Sequence, residues 1–182
     1  MRIVAGRFKG KRIAPPKDIK ARPTTDFAKE ALFNILQHSI PLEGIRVLDL
    51  FAGAGGISLE FLSRGASEVI SIEQDAALYG HLQRTARALG TENWHLVKAD
   101  VFSYINSDRS TYDVIFADPP FDMEGTENLP ALIRESGLLA PDGLLLVEHY
   151  KRLDLSADEW FDVCRKYSNI NFSFFTPRPD QP

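Results

Sequence analysis

The sequence predicts an α/β protein built on a doubly wound, Rossmann-like sheet that is mostly parallel. Short runs rich in Val, Ile and Leu alternate with helical segments, which is typical of a parallel sheet covered by helices on both faces. A glycine-rich turn at residues 53–56 follows the first of these runs, where such folds approach a ligand. The alternating segment Ile170–Phe175 predicts a terminal antiparallel strand.

The elements follow one another in a regular order. Five apolar runs are the predicted strands: Val47–Phe51, Val69–Ile72, His95–Val97, Val114–Ala117 and Leu144–Val147. Helical spacing predicts a first helix that starts after Pro23 and ends before Pro41, and then Ser58–Ser63, Asp75–Leu89, Val101–Asn106 and Leu129–Ser136. Glu159–Lys166 is compatible with a short helix or a strand, and Ile170–Phe175 has the pattern of an edge strand.

Composition limits the class of protein. The chain has 182 residues, 44% hydrophobic and 25% charged, which are ordinary values for one globular domain. It has no apolar run of about 20 residues and no signal-peptide core at its start. A single cysteine, Cys164, excludes an internal disulfide, and the four histidines show no metal-ligand spacing. We therefore expect a cytoplasmic protein with no membrane segment and no metal. A monomer is also expected, although no feature of the sequence determines the oligomeric state.

Charge is divided unequally along the chain. Residues 1–22 hold eight Lys and Arg against one Asp, a net charge of +7, so the remaining 160 residues carry −11. Apolar residues and glycines interleave with the basic ones, which favours a short β-hairpin. We expect residues 1–22 to form a basic appendage to a domain at 23–182 and to bind a polyanion such as RNA. The candidate RNA-binding residues are Arg2, Arg7, Lys9, Lys11, Arg12 and Arg22.

Acidic residues follow successive predicted strands, as a nucleotide site requires. Asp49 lies at the end of the first run, before Gly53 and Gly55, and Glu73 lies 20 residues after Gly53. A carboxylate in the position of Glu73 accepts ribose hydroxyls in dinucleotide-binding folds. Asp100 follows the third run and could accept a hydrogen bond from an adenine amino group. The turn lacks the full pyrophosphate-binding glycine pattern, and Asp49 would repel a pyrophosphate. The acidic lining thus favours the cationic S-adenosylmethionine over NAD.

The fourth run ends in Asp118-Pro119-Pro120-Phe121. Two consecutive prolines fix two φ angles and remove two backbone donors. Carbonyl and carboxylate acceptors then lie beside an aromatic ring, an arrangement that suits a flat molecule with an amino group. Alone, the motif is equally compatible with a solvated Pro-Pro turn.

Together these motifs resemble those of class I S-adenosylmethionine-dependent methyltransferases that act on exocyclic amines. Arg2-Ile-Val-Ala-Gly-Arg7 and Arg22-Pro-Thr-Thr-Asp-Phe-Ala-Lys-Glu-Ala-Leu-Phe-Asn34 narrow the likeness to the bacterial 16S rRNA guanine-N2 methyltransferase family, called RsmD-like. Phe27-Ala28-Lys29 replaces a more basic triplet of that family.

The resemblance implies methylation of a guanine N2 in 16S rRNA, free or in the small ribosomal subunit. It implies a cofactor site formed by Asp49, Phe51, Gly53, Gly55, Glu73, Asp100, Val101 and Asp118, and a catalytic loop formed by Asp118, Pro119, Pro120 and Phe121.

Three alternatives stay open from the sequence. An amino methyltransferase could act on another nucleic acid or on a protein glutamine, although protein-methylating relatives tend to carry Asn at position 118. A catalytically silent assembly factor could grip ribosomal RNA. An NAD-dependent oxidoreductase is disfavoured by the glycine pattern.

Overall fold

The computed structural model describes residues 1–14, 16, 26–167 and 169–178. Its seven strands form one mixed sheet in the order β3-β2-β1-β4-β5-β7-β6. The strands are β1 (Arg46–Asp49), β2 (Glu68–Ile72), β3 (Trp94–Val97), β4 (Tyr112–Ala117), β5 (Leu139–Tyr150), β6 (Phe161–Tyr167) and β7 (Ile170–Phe175). The helices are α1 (Asp26–Ser39), α2 (Gly56–Ser63), α3 (Ala76–Leu89), α4 (Val101–Ser107) and α5 (Leu129–Ser136). The predicted fold class is confirmed.

The chain divides into two compact units, Met1–Val101 and Phe102–Pro182. The expected boundary between an appendage and a domain, after residue 22, falls outside the described residues and stays a prediction.

The first unit places three parallel strands side by side. β1 pairs with β2, and β2 pairs with β3, so that Asp49 lies opposite Ser71 and Ile72 opposite Val97. The carboxyl ends of these strands therefore share one edge. Asp75 caps α3 by accepting hydrogen bonds from the N–H groups of Ala77 and Leu78, as expected of an Asp at an N-cap. In α2, every residue from Ile57 to Ser63 is buried.

Within the basic N-terminal segment, residues 1–13 form the predicted hairpin. Arg2 and Arg12 form an antiparallel bridge. The Ile3 N–H donates to the Lys11 carbonyl and the Ile13 N–H to the Met1 carbonyl, both at 3.0 Å. Ile3 is buried, whereas the basic side chains on both sides of it are exposed. Val4, Phe8 and Ile13 are half-buried, so the apolar residues of the hairpin are less exposed than its basic residues.

The second unit differs from the sequence prediction in two respects. β5 starts five residues earlier than expected, because Pro141-Asp142-Gly143 lies within the strand as an irregularity and not as a turn before it. β7 is not an edge strand, because it pairs with β5 on one side and with β6 on the other. The terminal antiparallel pair is confirmed, and Glu159–Lys166 supplies most of the outer strand β6.

Candidate functional site

The glycine-rich turn joins β1 to α2 and is held to its neighbours by backbone bonds. The Ala52 N–H donates to the Ile72 carbonyl at 3.0 Å, and the Gly55 N–H donates to the Ala52 carbonyl at 2.7 Å. Gly53 and Gly55 have φ values of +53° and +82°, a region that residues with a Cβ rarely adopt. The turn is therefore fixed by its sequence.

The two glycines differ in what surrounds them. A Cβ on Gly55 would lie 2.7 Å from Leu82 and 3.1 Å from Trp94, so Gly55 permits close packing of the turn on α3 and β3. A Cβ on Gly53 would have no neighbour within 4 Å among the described residues. Gly53 therefore presents an open backbone surface that a ligand can approach.

Asp49 terminates a chain of hydrogen bonds in the buried interior of this unit. Trp94 Nε1–H donates to Ser71 Oγ at 2.8 Å, the Ser71 and Ser58 hydroxyls are 2.6 Å apart, and Ser58 Oγ–H donates to Asp49 Oδ2 at 2.5 Å. Ser58 donates its only hydroxyl proton to Asp49, so the Ser71 hydroxyl donates to Ser58, and all three donors point toward the carboxylate. This polarity favours the ionised form of Asp49.

The other oxygen of Asp49 is buried and has no hydrogen-bond partner among the described residues. Burial raises the pKa of Asp49 to about 6, against the lowering effects of the Ser58 hydroxyl and the Phe51 N–H. The charge of Glu73 raises it further. A buried acceptor of this kind fits a cationic donor, and S-adenosylmethionine carries both an ammonium and a sulfonium.

Glu73, directly after β2, ties the turn to the start of α3. Its Oε2 accepts from the Gly53 N–H at 2.9 Å and its Oε1 from the Asp75 N–H at 2.8 Å. Partial burial raises the pKa of Glu73, and these backbone bonds oppose the rise. Each oxygen keeps a second lone pair. The carboxylate is thus oriented by the backbone and is still able to accept from a diol.

The remaining predicted cofactor residues flank this edge. Phe51 is half-buried within the turn. β3 ends at Val97, so Asp100 lies three residues beyond the strand, exposed and immediately before α4, which begins at the buried Val101. The structure brings Asp49, Gly53 and Glu73 together most directly.

His81 on α3 is a residue that the sequence did not single out. It is buried, and its Nε2 has no partner among the described residues. Burial, followed by the charge of Arg84, lowers the pKa of His81, while a bond with the Ala54 backbone opposes the shift. At neutral pH the imidazole is uncharged and braces the glycine-rich turn.

In the second unit, Asp118-Pro119-Pro120-Phe121 follows β4 directly, as predicted. Asp118 is half-buried, Pro119 is buried, and Pro120 and Phe121 are exposed. The Pro120 carbonyl accepts from the Met123 N–H at 2.9 Å, which closes a turn. Of the two prolyl carbonyls, that of Pro119 is therefore the better candidate for a bond to substrate.

Phe121 has an aromatic neighbour. The ring centroids of Phe121 and Tyr150 are 3.6 Å apart, with 38° between the ring planes. The two side chains are 51% and 40% exposed, so neither is part of the core. Sequence reasoning missed Tyr150, although an aromatic residue three positions beyond the apolar run Leu144–Val147 was a usable signal.

Five of the predicted RNA-binding residues are exposed on the hairpin, namely Arg2, Arg7, Lys9, Lys11 and Arg12. The Arg7 guanidinium lies 4.6 Å and the Lys11 ammonium 5.2 Å from the centre of the Phe8 ring, so cation–π contacts hold both side chains close together. The sixth residue, Arg22, lies outside the described residues.

Among the residues that the structure describes, neither a metal site nor a membrane-spanning helix is found. There, no three His, Cys, Asp or Glu side chains are grouped to hold a metal ion. No helix in that part has the length and hydropathy needed to cross a bilayer.

Comparison with known proteins resolves the family. The model of the family described as "Conserved hypothetical protein 95" matches residues 1–176. Ribosomal RNA small subunit methyltransferase D of Escherichia coli K12 is 34% identical over 148 residues, covering 81% of this chain and 74% of the relative. The chain belongs to the RsmD family.

Two other relatives agree with this membership. The Bacillus subtilis protein named "Putative rRNA methyltransferase YlbH" is 32% identical and covers 85% of both chains. The solved structure of a putative methyltransferase from Escherichia coli, yhhF, superimposes with a TM-score of 0.85 at 28% identity, covering 97% of both chains. The family resemblance and the Rossmann-like methyltransferase fold are thereby confirmed, whereas the individual site residues stay predictions.

Proposed function

We propose that this protein transfers a methyl group from S-adenosylmethionine to the exocyclic N2 amine of a guanine in 16S ribosomal RNA. The observation that carries the proposal is the loop after β4. It presents a half-buried carboxylate, a prolyl carbonyl and an exposed aromatic ring within four residues. Relatives named as small-subunit rRNA methyltransferases, at up to 34% identity, support RNA as the substrate.

The first unit supplies the proposed cofactor site. Asp49 faces the positive charge of the cofactor with a buried, unsatisfied oxygen, and the Gly53 backbone allows close approach. Glu73 accepts the ribose hydroxyls, and Asp100 accepts from the adenine amino group. Phe51, Gly55 and Val101 shape the surrounding surface. S-adenosylmethionine, when bound, supplies an electrophilic methyl group on sulfur.

The loop after β4 supplies the proposed acceptor site. A guanine N2 is a weak nucleophile, because its lone pair is delocalised into the ring. Acceptors on its two hydrogens, the Asp118 carboxylate and the Pro119 carbonyl, favour a pyramidal nitrogen. As the new N–C bond forms and the S–C bond breaks, the sulfur keeps the electron pair and the nitrogen releases one proton toward Asp118 or water. Phe121 stacks on the base and aligns it, and alignment of two reactants can contribute about 7–11 kcal/mol.

The variant Asp118→Asn tests the loop, with Asp122→Asn as the matched control. Asp122 is an exposed carboxylate in the same turn and has no proposed role. We expect Asp118→Asn to lower kcat by about 100-fold or more, in the range that removal of a general base produces. Its dissociation constant for S-adenosylmethionine should stay within about twofold, because the amide keeps the size and one acceptor oxygen of Asp118 and the other proposed cofactor residues are unchanged. The measurement is transfer of tritiated methyl to small subunits from a strain that lacks the protein.

Equal activity of the two variants would remove Asp118 from the mechanism. If the unmodified protein bound rRNA but transferred no methyl group, the silent assembly factor would be the better description. Label recovered on protein or DNA would instead favour one of the other amino methyltransferases.

A further inference from the structure

Glu60, in the middle of α2, is a buried carboxylate with no proposed part in methyl transfer. Its side chain has no solvent exposure. Oε2 accepts from the Val4 N–H at 3.0 Å and Oε1 from the Ala5 N–H at 3.1 Å. Both N–H groups belong to the basic hairpin. Glu60 therefore joins the hairpin to the helix that follows the glycine-rich turn.

Two cations complete the environment of this carboxylate. Arg64 Nε lies 3.0 Å from Oε1, and Lys29 Nζ lies 3.7 Å from Oε2. Lys29 also donates to the Arg2 carbonyl. A charge taken out of water is tolerated only when it is paired and hydrogen-bonded, and Glu60 meets both conditions through the hairpin, α1 and α2.

The hairpin follows α2 over its full length. Near the end of the helix, the Arg7 N–H donates to the Ser63 carbonyl at 2.7 Å and the Phe8 N–H to Ser63 Oγ at 2.9 Å. At its start, a Cβ on Gly56 would lie 2.7 Å from Met1 Sδ. Gly6 lies so close to α2 that a Cβ there would be 1.7 Å from the Ser63 carbonyl oxygen. Because these contacts are so close, the hairpin can pack against α2 in only one position.

We propose that Glu60 is the positioning residue that locks the hairpin on α2 and so presents its basic side chains to RNA in a fixed arrangement. The inference rests on the proposed function, since it assumes an RNA substrate. A segment with this charge would ordinarily order only on binding, at a cost in affinity. Because the hairpin is already ordered against α2 in the free protein, RNA binding does not include that entropic cost. Glu60 itself touches neither RNA nor cofactor.

The variant Gly6→Ala tests the inference, with Gly10→Ala as its matched control. Both glycines lie in the hairpin at positive φ, +76° and +84°, so both substitutions carry similar backbone strain. Only the methyl group at position 6 collides with α2, because no described residue lies within 4 Å of a Cβ at position 10. Neither change alters a charge.

We expect Gly6→Ala to weaken binding to a fragment of 16S rRNA about tenfold or more. The slope of log affinity against log salt concentration should fall by about 0.7–0.9 for each phosphate that the hairpin no longer binds. Gly10→Ala should retain the affinity and the slope of the unmodified protein. Hydrogen exchange should be faster at the amides of Val4, Ala5 and Arg7 in Gly6→Ala only. Affinity for S-adenosylmethionine should be unchanged in both.

Glu60→Gln provides a second test that leaves the sequence of the hairpin unchanged and alters the contact from the side of α2. The amide keeps one acceptor but places an NH₂ group against backbone donors, so we expect faster exchange at Val4 and Ala5 and weaker RNA binding. Equal RNA affinity of Gly6→Ala, Gly10→Ala and the unmodified protein would overturn the proposal. If the unmodified protein failed to bind the RNA, the proposed function would fail instead, and the exchange data would still report whether Glu60 holds the hairpin.

Discussion

Asp49 has a charge in a position where the fold disfavours one. Burial raises its pKa to about 6 from an ordinary 3.8, so the ionised form costs folding free energy at neutral pH. A pKa rise of this size corresponds to about 3 kcal/mol. The chain of donors from Trp94 reduces this cost without removing it. Binding of a ligand explains an acidic residue at this destabilising position better than packing does.

Replacing Asp49 by Asn should therefore separate stability from cofactor binding. We expect the variant, without ligand, to gain about 1–3 kcal/mol in the free energy of unfolding at about pH 7.5, because no buried charge must form. It should lose affinity for S-adenosylmethionine about tenfold or more, since the attraction to a cation is gone. Urea unfolding and calorimetric titration measure the two effects.

The pH dependence has a definite sign. A carboxyl whose folded pKa is raised binds its proton more tightly in the folded state, so its contribution to stability falls as pH rises from about 4 to about 6 and is constant above that. The advantage of Asp49→Asn should accordingly disappear near about pH 4. A variant that is no more stable than the unmodified protein at neutral pH would show that Asp49 is not a strained charge.

Residues differ in how far the sequence reveals them. Asp49, Gly53 and Glu73 were predictable because spacing along a βαβ unit fixes their places at one sheet edge. Glu60 was not, because its partners are backbone N–H groups 55 and 56 residues away. The available signal was a single charged residue inside the apolar run of α2. Lys29, in the triplet that is more basic in the family, is buried beside Glu60.

At the scale of elements, β4 and β5 place their carboxyl ends side by side, with Ala117 opposite Val147. The loop with Phe121 and the terminal Tyr150 therefore meet. Since Tyr150 lies against one ring face of Phe121, we expect it to hold that ring in place for a base on the other face. Aromatic pairs contribute about 0.5–1.5 kcal/mol beyond burial.

This arrangement predicts different results for two substitutions of Tyr150. Tyr150→Phe keeps the ring and should leave the KM for RNA within about twofold, whereas Tyr150→Ala should raise it about three- to tenfold, by the value of one aromatic pair. The KM for S-adenosylmethionine should not change. Steady-state methyl transfer measures both constants. Equal KM values for RNA in the two variants would mean that the ring pair has no role in base binding.

The differences in β5 and β7 have a physical origin. Pro141-Asp142-Gly143 has turn chemistry, yet the pairing of β5 with β4 continues on both sides of it, with Leu139 opposite Tyr112 and Leu144 opposite Val114. Local propensity was overridden by tertiary pairing. β7 alternates as an edge strand would, but it lies between β5 and β6, a neighbour relation that no local pattern contains.

At the scale of the whole molecule, a basic segment of net charge +7 in residues 1–22 accompanies a remainder of −11. We expect such a division to direct a polyanion to the basic segment and to leave the acidic residues of the proposed cofactor site for a cation. Fold and family followed from the order of elements and motifs. The base that would be methylated could not be predicted, because it depends on contacts with RNA that no short motif of the sequence reveals.

Mapping of the transferred methyl group tests the central claim most directly. Small subunits from a strain lacking the protein are incubated with the protein and labelled S-adenosylmethionine, and the RNA is digested to nucleosides for mass spectrometry. The predicted result is one labelled product, N2-methylguanosine, from one position of 16S rRNA, formed about 100-fold or more slowly by Asp118→Asn. Label on another atom of guanine, on another base, or on ribosomal protein would contradict the assignment of the loop after β4 as an acceptor for guanine N2.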